Sequence, residues 1–335
     1  YKNKIGGCIV EEEKTIDILM ATYNGEKYLE EQIDSILGQT YKNIRLIISD
    51  DCSTDNTKNI LKKYQEKENI EIYYQKENLG YVKNFEFLLQ KVENEIYMLS
   101  DQDDVWMSNK VEDTLKKLEE DNADLVFTDL EIVDENLNTI DKSFNRKMDK
   151  FRKIEKTLGK KSFEYLYNNI TGCTIMSKKE WINKILPIPK NSKYVIHDSW
   201  IGLIISLKGK ISYLDKPTIK YRQHGDNQVG TERTSHKYKK FSQIRELFIN
   251  VKKDLFKTYI ENEEKFPEDL KELNYRGKRY FDDIEKKTKI NLKNWTVFHK
   301  LYKNESLQYY VLNFIILNLP ILGELAFKVY KNLKD

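Results

Sequence analysis

Three aspartates stand within four residues of one another, Asp101, Asp103 and Asp104, directly after the apolar run at 96–99. Carboxylates that crowd together at the end of a buried strand lose hydration and repel one another, so they need a compensating positive charge. A divalent cation supplies that charge, and carboxylate oxygens suit Mg²⁺ or Mn²⁺ bound together with substrate phosphates. The alternative is a solvent-exposed acidic turn, which the position directly after a strand disfavours.

The first half of the chain alternates short β-type runs with helical patterns. This alternation predicts an α/β fold with a Rossmann-like, mostly parallel central sheet, helices on both faces, and ligands at the carboxyl ends of the strands. Three polar groups follow strands in this way, at 22–24, 50–51 and 101–104. The predicted strands lie at 15–21, 44–49, 70–74, 96–99 and 125–128, and the predicted helices at 26–37, 56–65, 82–92 and 110–118.

The second half has a weaker pattern. Residues 130–161 are charged and are expected to be partly loop, followed by a strand at 170–176 and two more at 211–214 and 218–221. After about Thr234 the sequence becomes helical and rich in Lys and Glu, which predicts a separate helical appendage. The longest apolar run, at 311–322, falls short of the ~18–20 residues that span a bilayer, so it is either core, a dimer contact or an interfacial helix.

Composition and charge exclude several classes of protein. The 335 residues include 22 Tyr and 14 Phe, enough core material to argue against disorder. Residues 231–335 carry 22 basic and 15 acidic residues, a net charge of +7, whereas residues 1–230 carry 35 and 39, a net charge of −4. This distribution is unlike that of a nucleic-acid binder, and the basic tail suits anionic lipid or another subunit. Three widely spaced cysteines indicate neither a zinc site nor disulfides and favour a reducing, cytoplasmic location.

Four segments occur in a characteristic order: ATYNGEKYLEEQIDSILGQTY, ISDDCSTDNT, ENLGYVKNFEFLL and MLSDQDDVWMSNK. Together they resemble the family-2 glycosyltransferases of the GT-A fold. SDQDDVW and YRQHGDNQVG further resemble the bacterial rhamnosyltransferases that build surface polysaccharides. The resemblance implies a GT-A domain at 15–232 and a helical C-terminal extension at 233–335, with residues 1–14 as an N-terminal tail or tag remnant.

The resemblance assigns residues to the nucleotide-sugar donor. Asp51, supported by Asp50, is expected to accept a hydrogen bond from the base, although it could instead cap the following helix. Lys83 is expected either to contact a phosphate or to stay solvated. The donor-binding residues implied by the motifs are Ala21, Tyr23, Asp51, Asn78, Gly80, Lys83, Asp101 and Gln102.

The DxD motif of the family falls on Asp101-Gln102-Asp103. Asp103 is expected to bind Mn²⁺ or Mg²⁺ directly, with Asp101 nearer the ribose or a water, while Asp104 leaves this assignment ambiguous. In the family the cation neutralises the charge that grows on the leaving nucleoside diphosphate. His224 matches a position where some relatives contact the metal or the diphosphate, and its alternative is a structural role.

Sugar transfer with inversion needs one general base for the acceptor hydroxyl. The resemblance places it at Asp198, whose alternative role is an N-cap for the helix that follows. His197 replaces the Glu of many relatives and is assigned with Gly172 and Trp200 to the acceptor side, although Trp200 could equally be core.

The expected function is an inverting, metal-dependent glycosyltransferase of bacterial surface polysaccharide synthesis. The first donor expected is dTDP-L-rhamnose and the second a UDP-sugar, with a saccharide or lipid-linked saccharide as acceptor. The expected location is the cytoplasm, with peripheral membrane contact or homodimer formation through the C-terminal helices. Two alternatives remain, a sugar-1-phosphate nucleotidyltransferase, which residues 15–40 do not favour because they lack a Gly-rich basic loop, and an inactive donor-binding scaffold.

Overall fold

The computed structural model describes residues 4–5, 8–9, 13–144, 170–225, 240–285, 295–302 and 307–319. Contacts divide this part of the chain into two compact units. The first contains residues up to 144 together with 170–188 and 208–224, and the second contains 189–207 and the described residues from 225 onward. The second unit therefore includes 189–207, a segment that the motif resemblance assigns to the domain at 15–232.

A nine-stranded sheet forms the centre of the first unit, and a separate hairpin pairs β1 with β2. The strands are β1 (Lys4–Ile5), β2 (Cys8–Ile9), β3 (Ile16–Thr22), β4 (Ile44–Asp50), β5 (Ile70–Tyr74), β6 (Ile96–Ser100), β7 (Val105–Trp106), β8 (Leu125–Val133), β9 (Thr139–Asp141), β10 (Ile175–Lys178) and β11 (Ile211–Arg222).

The sheet runs in the order β5-β4-β3-β6-β10-β8-β11-β7, with β9 paired to β8. Pairing is parallel along β5-β4-β3-β6 and between β8 and β11. Because β10 is antiparallel to both of its neighbours, β6 and β8 point the same way, and only β7, β9 and β10 oppose the other strands. The prediction of a mostly parallel sheet is confirmed.

Helices cover both faces of this sheet. Side chains alternate along a strand, so Ile18 and Met20 of β3 face one way and Leu19 the other. The cluster that contains Ile18 and Met20 also contains apolar residues of α1, and α3 packs against β3 without joining that cluster. The helices of the first unit are α1 (Leu29–Leu37), α2 (Thr57–Lys62), α3 (Tyr81–Leu89), α4 (Lys110–Glu120) and α5 (Ile182–Ile185).

Two sequence-based strand predictions are wrong in detail. The expected strand at 170–176 begins with a 3₁₀ turn at Gly172–Thr174, because the Thr174 N–H and hydroxyl both donate to the Thr171 carbonyl, and β10 starts only afterwards. The two strands expected at 211–214 and 218–221 form one strand, β11, which keeps its pairing with β8 through register shifts on either side of Pro217. Residues 130–161 were expected to be partly loop. β8 and β9 occupy part of this region, and residues 145–169 lie outside the described residues.

The second unit is helical over its described residues, as expected for the C-terminal extension. Phe256 and Phe281 are fully buried and stack with ring centroids 5.7 Å apart, which joins the two longest helices. Nowhere in the described ranges is there a helix with the length and apolar character needed to cross a bilayer. The helices are α6 (His197–Lys208), α7 (Phe241–Glu261), α8 (Glu268–Glu285), α9 (Trp295–Tyr302) and α10 (Leu307–Asn318).

Gly277 lies where α8 crosses α7, and it has no room for a side chain. A Cβ at this position would lie 2.7 Å from two ring atoms of Phe256. Replacing Gly by Ala inside a helix normally stabilises it by about 0.5–1 kcal/mol. Here we expect Gly277→Ala to lower the free energy of unfolding by about 1–3 kcal/mol, because the buried ring must move.

Urea denaturation of the full chain measures this effect. Glu272→Ala, at an exposed position of the same helix, is the matched control and is expected to change the unfolding free energy by no more than about 0.5 kcal/mol. An increase in stability on Gly277→Ala would contradict the close packing described for this crossing.

Candidate active site

The carboxyl ends of β4, β3 and β6 lie side by side, and each is followed by one of the polar groups singled out in the sequence. The backbone already joins them, since the Asp51 N–H donates to the Thr22 carbonyl at 2.8 Å. Segments far apart in sequence therefore meet at one edge of the sheet, as the α/β pattern predicts.

Gln102, the middle residue of the DxD motif, ties the end of β6 to the end of β3. Its Oε1 accepts hydrogen bonds from the Thr22 hydroxyl at 2.6 Å and the Tyr23 N–H at 2.8 Å, and its Nε2 donates to the Tyr23 carbonyl at 3.0 Å. Both ends of the amide are thus engaged by the protein. The Tyr23 ring itself is 41% exposed, so Gln102 fixes the backbone of a residue whose ring remains at the surface.

Asp51 holds the turn before α3. It is 3% exposed, and its Oδ1 and Oδ2 accept from the N–H groups of Leu79 at 2.7 Å and Gly80 at 2.9 Å. The Asn78 side chain also accepts from the Gly80 N–H, at 3.0 Å. Asp51 does not cap α2; instead the Asp55 carboxylate accepts from the Thr57 N–H at 3.0 Å.

The remaining donor-side predictions lie around this edge. Ala21 is partly exposed near the end of β3, and Lys83 is exposed on α3. Asp50, at the end of β4, is fully buried, and burial raises the pKa of its carboxyl group. Their contacts with a donor stay predictions. Ala21 and Asp50 lie at the ends of β3 and β4, and Lys83 lies on α3, the helix that follows β5.

Asp103 and His224, 121 residues apart in sequence, meet at the end of the sheet. The His224 Nε2 and the Asp103 Oδ2 are 2.9 Å apart, and both side chains are largely but not fully buried. β11 brings His224 there, because it runs parallel to β8 and ends two residues before His224. The structure therefore places the two predicted metal ligands together.

Asp101 and Asp104 lie beside Cys173, and one ligand atom from each falls within 4.8 Å of the others. Asp104 is fully buried, and its pKa is raised well above the usual range by burial and by the charges of Asp103 and Asp101. A cluster of this kind would be relieved by a cation. Carboxylate oxygens and an imidazole nitrogen are ligands that Mn²⁺ accepts, so the residues present fit a divalent metal.

From the sequence alone Arg222 could pair with a phosphate or stay exposed, and the structure shows it buried against the acidic motif. It is 2% exposed, its Nε donates to the Asp103 carbonyl at 2.9 Å, and its backbone N–H donates to the Asp104 carboxylate at 3.1 Å. It also donates to the Glu31 carboxylate and to the Glu135 carbonyl. The signal was its place in YRQHG beside His224, but Glu31 and Glu135 come from distant segments that no local pattern connects to it.

An aromatic ring completes this cluster. The Tyr28 ring contacts both Arg222 and His224. The Arg222 guanidinium lies 4.3 Å from the centre of the Tyr28 ring, and the centre of the His224 ring lies 4.9 Å from it. A guanidinium over an aromatic face is favourable, more so when it is desolvated. Tyr28 thus orients the imidazole that pairs with Asp103.

A second buried cation supports the turn that contains Gly172. Lys110 is fully buried, which lowers its pKa to about 8, and its Nζ donates to the Cys173 carbonyl at 3.1 Å and lies 4.7 Å from the centre of the Trp106 ring. Burial raises the pKa of the Cys173 thiol well above its usual range, because desolvation disfavours the charged thiolate. A thiol that stays protonated in this way is unsuited to act as a nucleophile.

The acceptor-side predictions at 197–200 lie in the second unit, at the start of α6. Asp198 is 8% exposed, and one of its carboxylate oxygens accepts from the Ser199 N–H at 2.5 Å. Ser199 closes the first turn instead, since its hydroxyl accepts from the Ile196 N–H at 3.0 Å. Asp198 is the second residue of α6 and lies within its first turn.

Two of the residues predicted for the acceptor side, Trp200 and His197, are buried. Trp200 is 0% exposed and packs on Phe266 with ring centroids 6.4 Å apart. An indole so enclosed has no face for a sugar, so Trp200 is a core residue of the second unit and the acceptor assignment is corrected. Burial lowers the pKa of His197 to about 3, so its imidazole is neutral at physiological pH.

Gly25 follows β3 at the point where Gln102 crosses it. A Cβ there would lie 2.4 Å from the Gln102 Oε1. We expect Gly25→Ala to lower the free energy of unfolding by about 1–3 kcal/mol, because the amide must leave Thr22 and Tyr23. Measured by urea denaturation in the Gln102→Ala background, the same substitution is expected to cost less. Equal costs in both backgrounds would show that the clash does not involve Gln102.

Comparisons with known proteins agree with this geometry. Residues 17–186 match glycosyl transferase family 2. A dTDP-rhamnosyl transferase of Shigella flexneri, RfbG, is 32% identical over 240 residues, which cover 68% of this chain and 79% of that protein.

Two solved structures share the fold at low sequence identity. Residues 1–349 of S. aureus TarS, in complex with UDP-GlcNAc, superpose with a TM-score of 0.55 at 17% identity, covering 94% of this chain and 91% of that one. The mannosyltransferase PcManGT from Pyrobaculum calidifontis, in complex with GDP-Man and Mn²⁺, gives a TM-score of 0.52 at 17% identity, covering 96% and 88%. The sequence match over 17–186, together with the sheet and the motifs at its strand ends, shows that the chain belongs to glycosyl transferase family 2.

Proposed function

We propose that this chain is an inverting, metal-dependent glycosyltransferase that moves L-rhamnose from dTDP-rhamnose to a saccharide acceptor in bacterial surface polysaccharide synthesis. The observation that carries the proposal is the pairing of Asp103 with His224 beside Asp101, at the end of the sheet where Gln102 fixes Tyr23. The choice of rhamnose is supported by the 32% identical dTDP-rhamnosyl transferase. A UDP-sugar is the second candidate donor.

Asp103 and His224 would hold Mn²⁺ or Mg²⁺, with Asp101 nearer the ribose or a water. When bound, the cation neutralises the negative charge of the leaving nucleoside diphosphate. Arg222 keeps Asp103 in place through its main-chain carbonyl, so the ligand does not depend on the cation for its position. The Mn²⁺ in the mannosyltransferase structure belongs to a protein of the same fold and supports this assignment by analogy.

The nucleotide is bound at the ends of β3 and β4. Tyr23 offers an exposed ring for the base, and Asp51 has a second lone pair on each oxygen beyond its bonds to Leu79 and Gly80. Ala21 lines the same edge of the sheet. Asn78 and Gly80 stand at the turn proposed to face the ribose and phosphates, and Lys83, exposed on α3, is proposed to contact a phosphate.

Asp198 removes the proton from the acceptor hydroxyl as that oxygen attacks the anomeric carbon. His197, neutral because of its burial, is proposed to hydrogen-bond the acceptor, and Gly172 lines the acceptor side. The acceptor is proposed to be a lipid-linked saccharide at the inner face of the plasma membrane. The C-terminal helices would serve either peripheral membrane contact or homodimer formation.

Removing the proposed base tests the chemical step. We expect Asp198→Asn to lower the rate of dTDP release from dTDP-L-rhamnose, with Mn²⁺ present and water as the sugar acceptor, by about 10²–10⁴-fold, because the amide cannot accept the proton of the attacking water. Thermal shift with dTDP and Mn²⁺ is expected to show wild-type nucleotide binding. Asp269→Asn, at an exposed position of the same unit, is the matched control. Wild-type turnover in Asp198→Asn would refute the assignment of the base.

The metal site is tested without turnover. The paramagnetic signal of free Mn²⁺ is titrated with protein in the presence of dTDP, and Asp103→Ala and His224→Ala are each expected to weaken Mn²⁺ binding at least 10-fold. Glu119→Gln, an exposed carboxylate on α4, serves as control. EDTA is expected to abolish dTDP release and added Mn²⁺ to restore it. Unchanged Mn²⁺ affinity in both ligand variants would place the cation elsewhere.

A further inference from the structure

The loop that leads into Asp198 is held by a carboxylate of the C-terminal helices. Asp254, on α7, accepts three hydrogen bonds at its Oδ2: from the Ser192 hydroxyl at 2.5 Å, from the Lys193 N–H at 3.0 Å and from the Tyr194 N–H at 3.2 Å. Hydrogen bonds to an ionised acceptor are about twice as strong as neutral ones. One side chain of α7 therefore fixes the start of this loop.

Ser192 passes this constraint toward α6. Its hydroxyl donates to Asp254 and accepts from the Val195 N–H at 2.8 Å. The next N–H, that of Ile196, donates to the Ser199 hydroxyl inside α6. Each backbone N–H from 193 to 196 thus has a defined acceptor, and the chain reaches Asp198 with little freedom.

Aromatic packing is a second contact between α6 and the C-terminal helices. Trp200, two residues after Asp198, packs on Phe266, and Phe266 packs in turn on Tyr259 of α7 with ring centroids 4.8 Å apart. All three aromatic side chains are buried. Asp254 therefore fixes the loop before α6 to the C-terminal helices, and Trp200 fixes the first turn of α6 to the same part of the chain.

From these contacts we propose that Asp254 is a positioning residue for sugar transfer, and that the C-terminal helices orient the base Asp198 in addition to any role in membrane contact or dimer formation. The inference rests on the proposed function, because the orientation of Asp198 affects the reaction only if Asp198 is the base. A base must stand within hydrogen-bond reach of the hydroxyl it deprotonates, and small misplacements cost much of the rate.

The experiment compares Asp254→Ala, Asp254→Asn, Ser192→Ala and the double alanine variant in the full chain. Glu246→Ala, an exposed position on the same helix, is the matched control. Three quantities are measured: kcat for dTDP release from dTDP-L-rhamnose with Mn²⁺, the dissociation constant of dTDP with Mn²⁺, and amide hydrogen exchange of a peptide that covers 192–196.

We expect Asp254→Ala to lower kcat at least 10-fold and to accelerate exchange at 192–196, while dTDP affinity stays within 2-fold of the control. Asp254→Asn keeps a carbonyl oxygen as acceptor and is expected to recover part of kcat. Because Asp254 and Ser192 act through one another, the double variant is expected to lose no more than the more damaged single variant. If Asp254→Ala fails to fold, Ser192→Ala, the smaller change, carries the same test.

Wild-type kcat in Asp254→Ala together with faster exchange would overturn the proposal, since the loop would then be loosened without effect on the reaction. Loss of dTDP binding in parallel with kcat would overturn it too, because the damage would then be general. If Asp198→Asn retains wild-type turnover, the proposed base is wrong, and this failure is recognisable because it appears with Asp254 intact.

Discussion

The site depends on how closely spaced carboxyl groups are held by hydrogen bonds at the end of the sheet. Asp101, Asp103 and Asp104 stand together there, and Asp104 has no exposure to water. Arg222, itself buried, contacts this group of residues through two hydrogen bonds, one from its guanidinium to the Asp103 carbonyl and one from its backbone N–H to the Asp104 carboxylate, while its ion pair is with Glu31. A buried polar group is stabilised by such hydrogen bonds, so the acidic motif and the end of β11 form one hydrogen-bonded unit. The rest of the sheet serves to bring β6 and β11 close enough for that contact.

The family relationship acquires a physical meaning from these contacts. Membership of glycosyl transferase family 2 follows from the match over 17–186, and the strands in this range carry the motifs at their ends. His224 and Arg222 lie beyond the matched range, yet they complete the arrangement around Asp103. The proposed chemistry therefore draws on two parts of the chain, a shared sheet and a later strand whose side chains finish the site.

Much of the fold could be predicted from the sequence, since short β-branched runs and helical stripes mark strands and helices locally. β4 and β5 match their predicted ranges to within one residue, and the polar residues at the ends of β3, β4 and β6 lie at one edge of the sheet as expected. Features set by tertiary packing could not be predicted. Arg222 is buried because distant Glu31 and Glu135 meet it, and Trp200 is buried because Phe266 covers it. The turn at Gly172–Thr174 likewise depends on hydrogen bonds that β-rich composition does not reveal.

β11 is the last strand of the sheet in chain order among the described residues, and it carries both Arg222 and, just beyond its end, His224. Domains emerge from the ribosome N-terminus first, so β3 to β6 can pair while the acidic motif still lacks these partners. Until β11 inserts between β7 and β8, Asp103 and Asp104 therefore lack their contacts with His224 and Arg222. The two proposed metal ligands, Asp103 and His224, come together only after the last strand has joined the sheet.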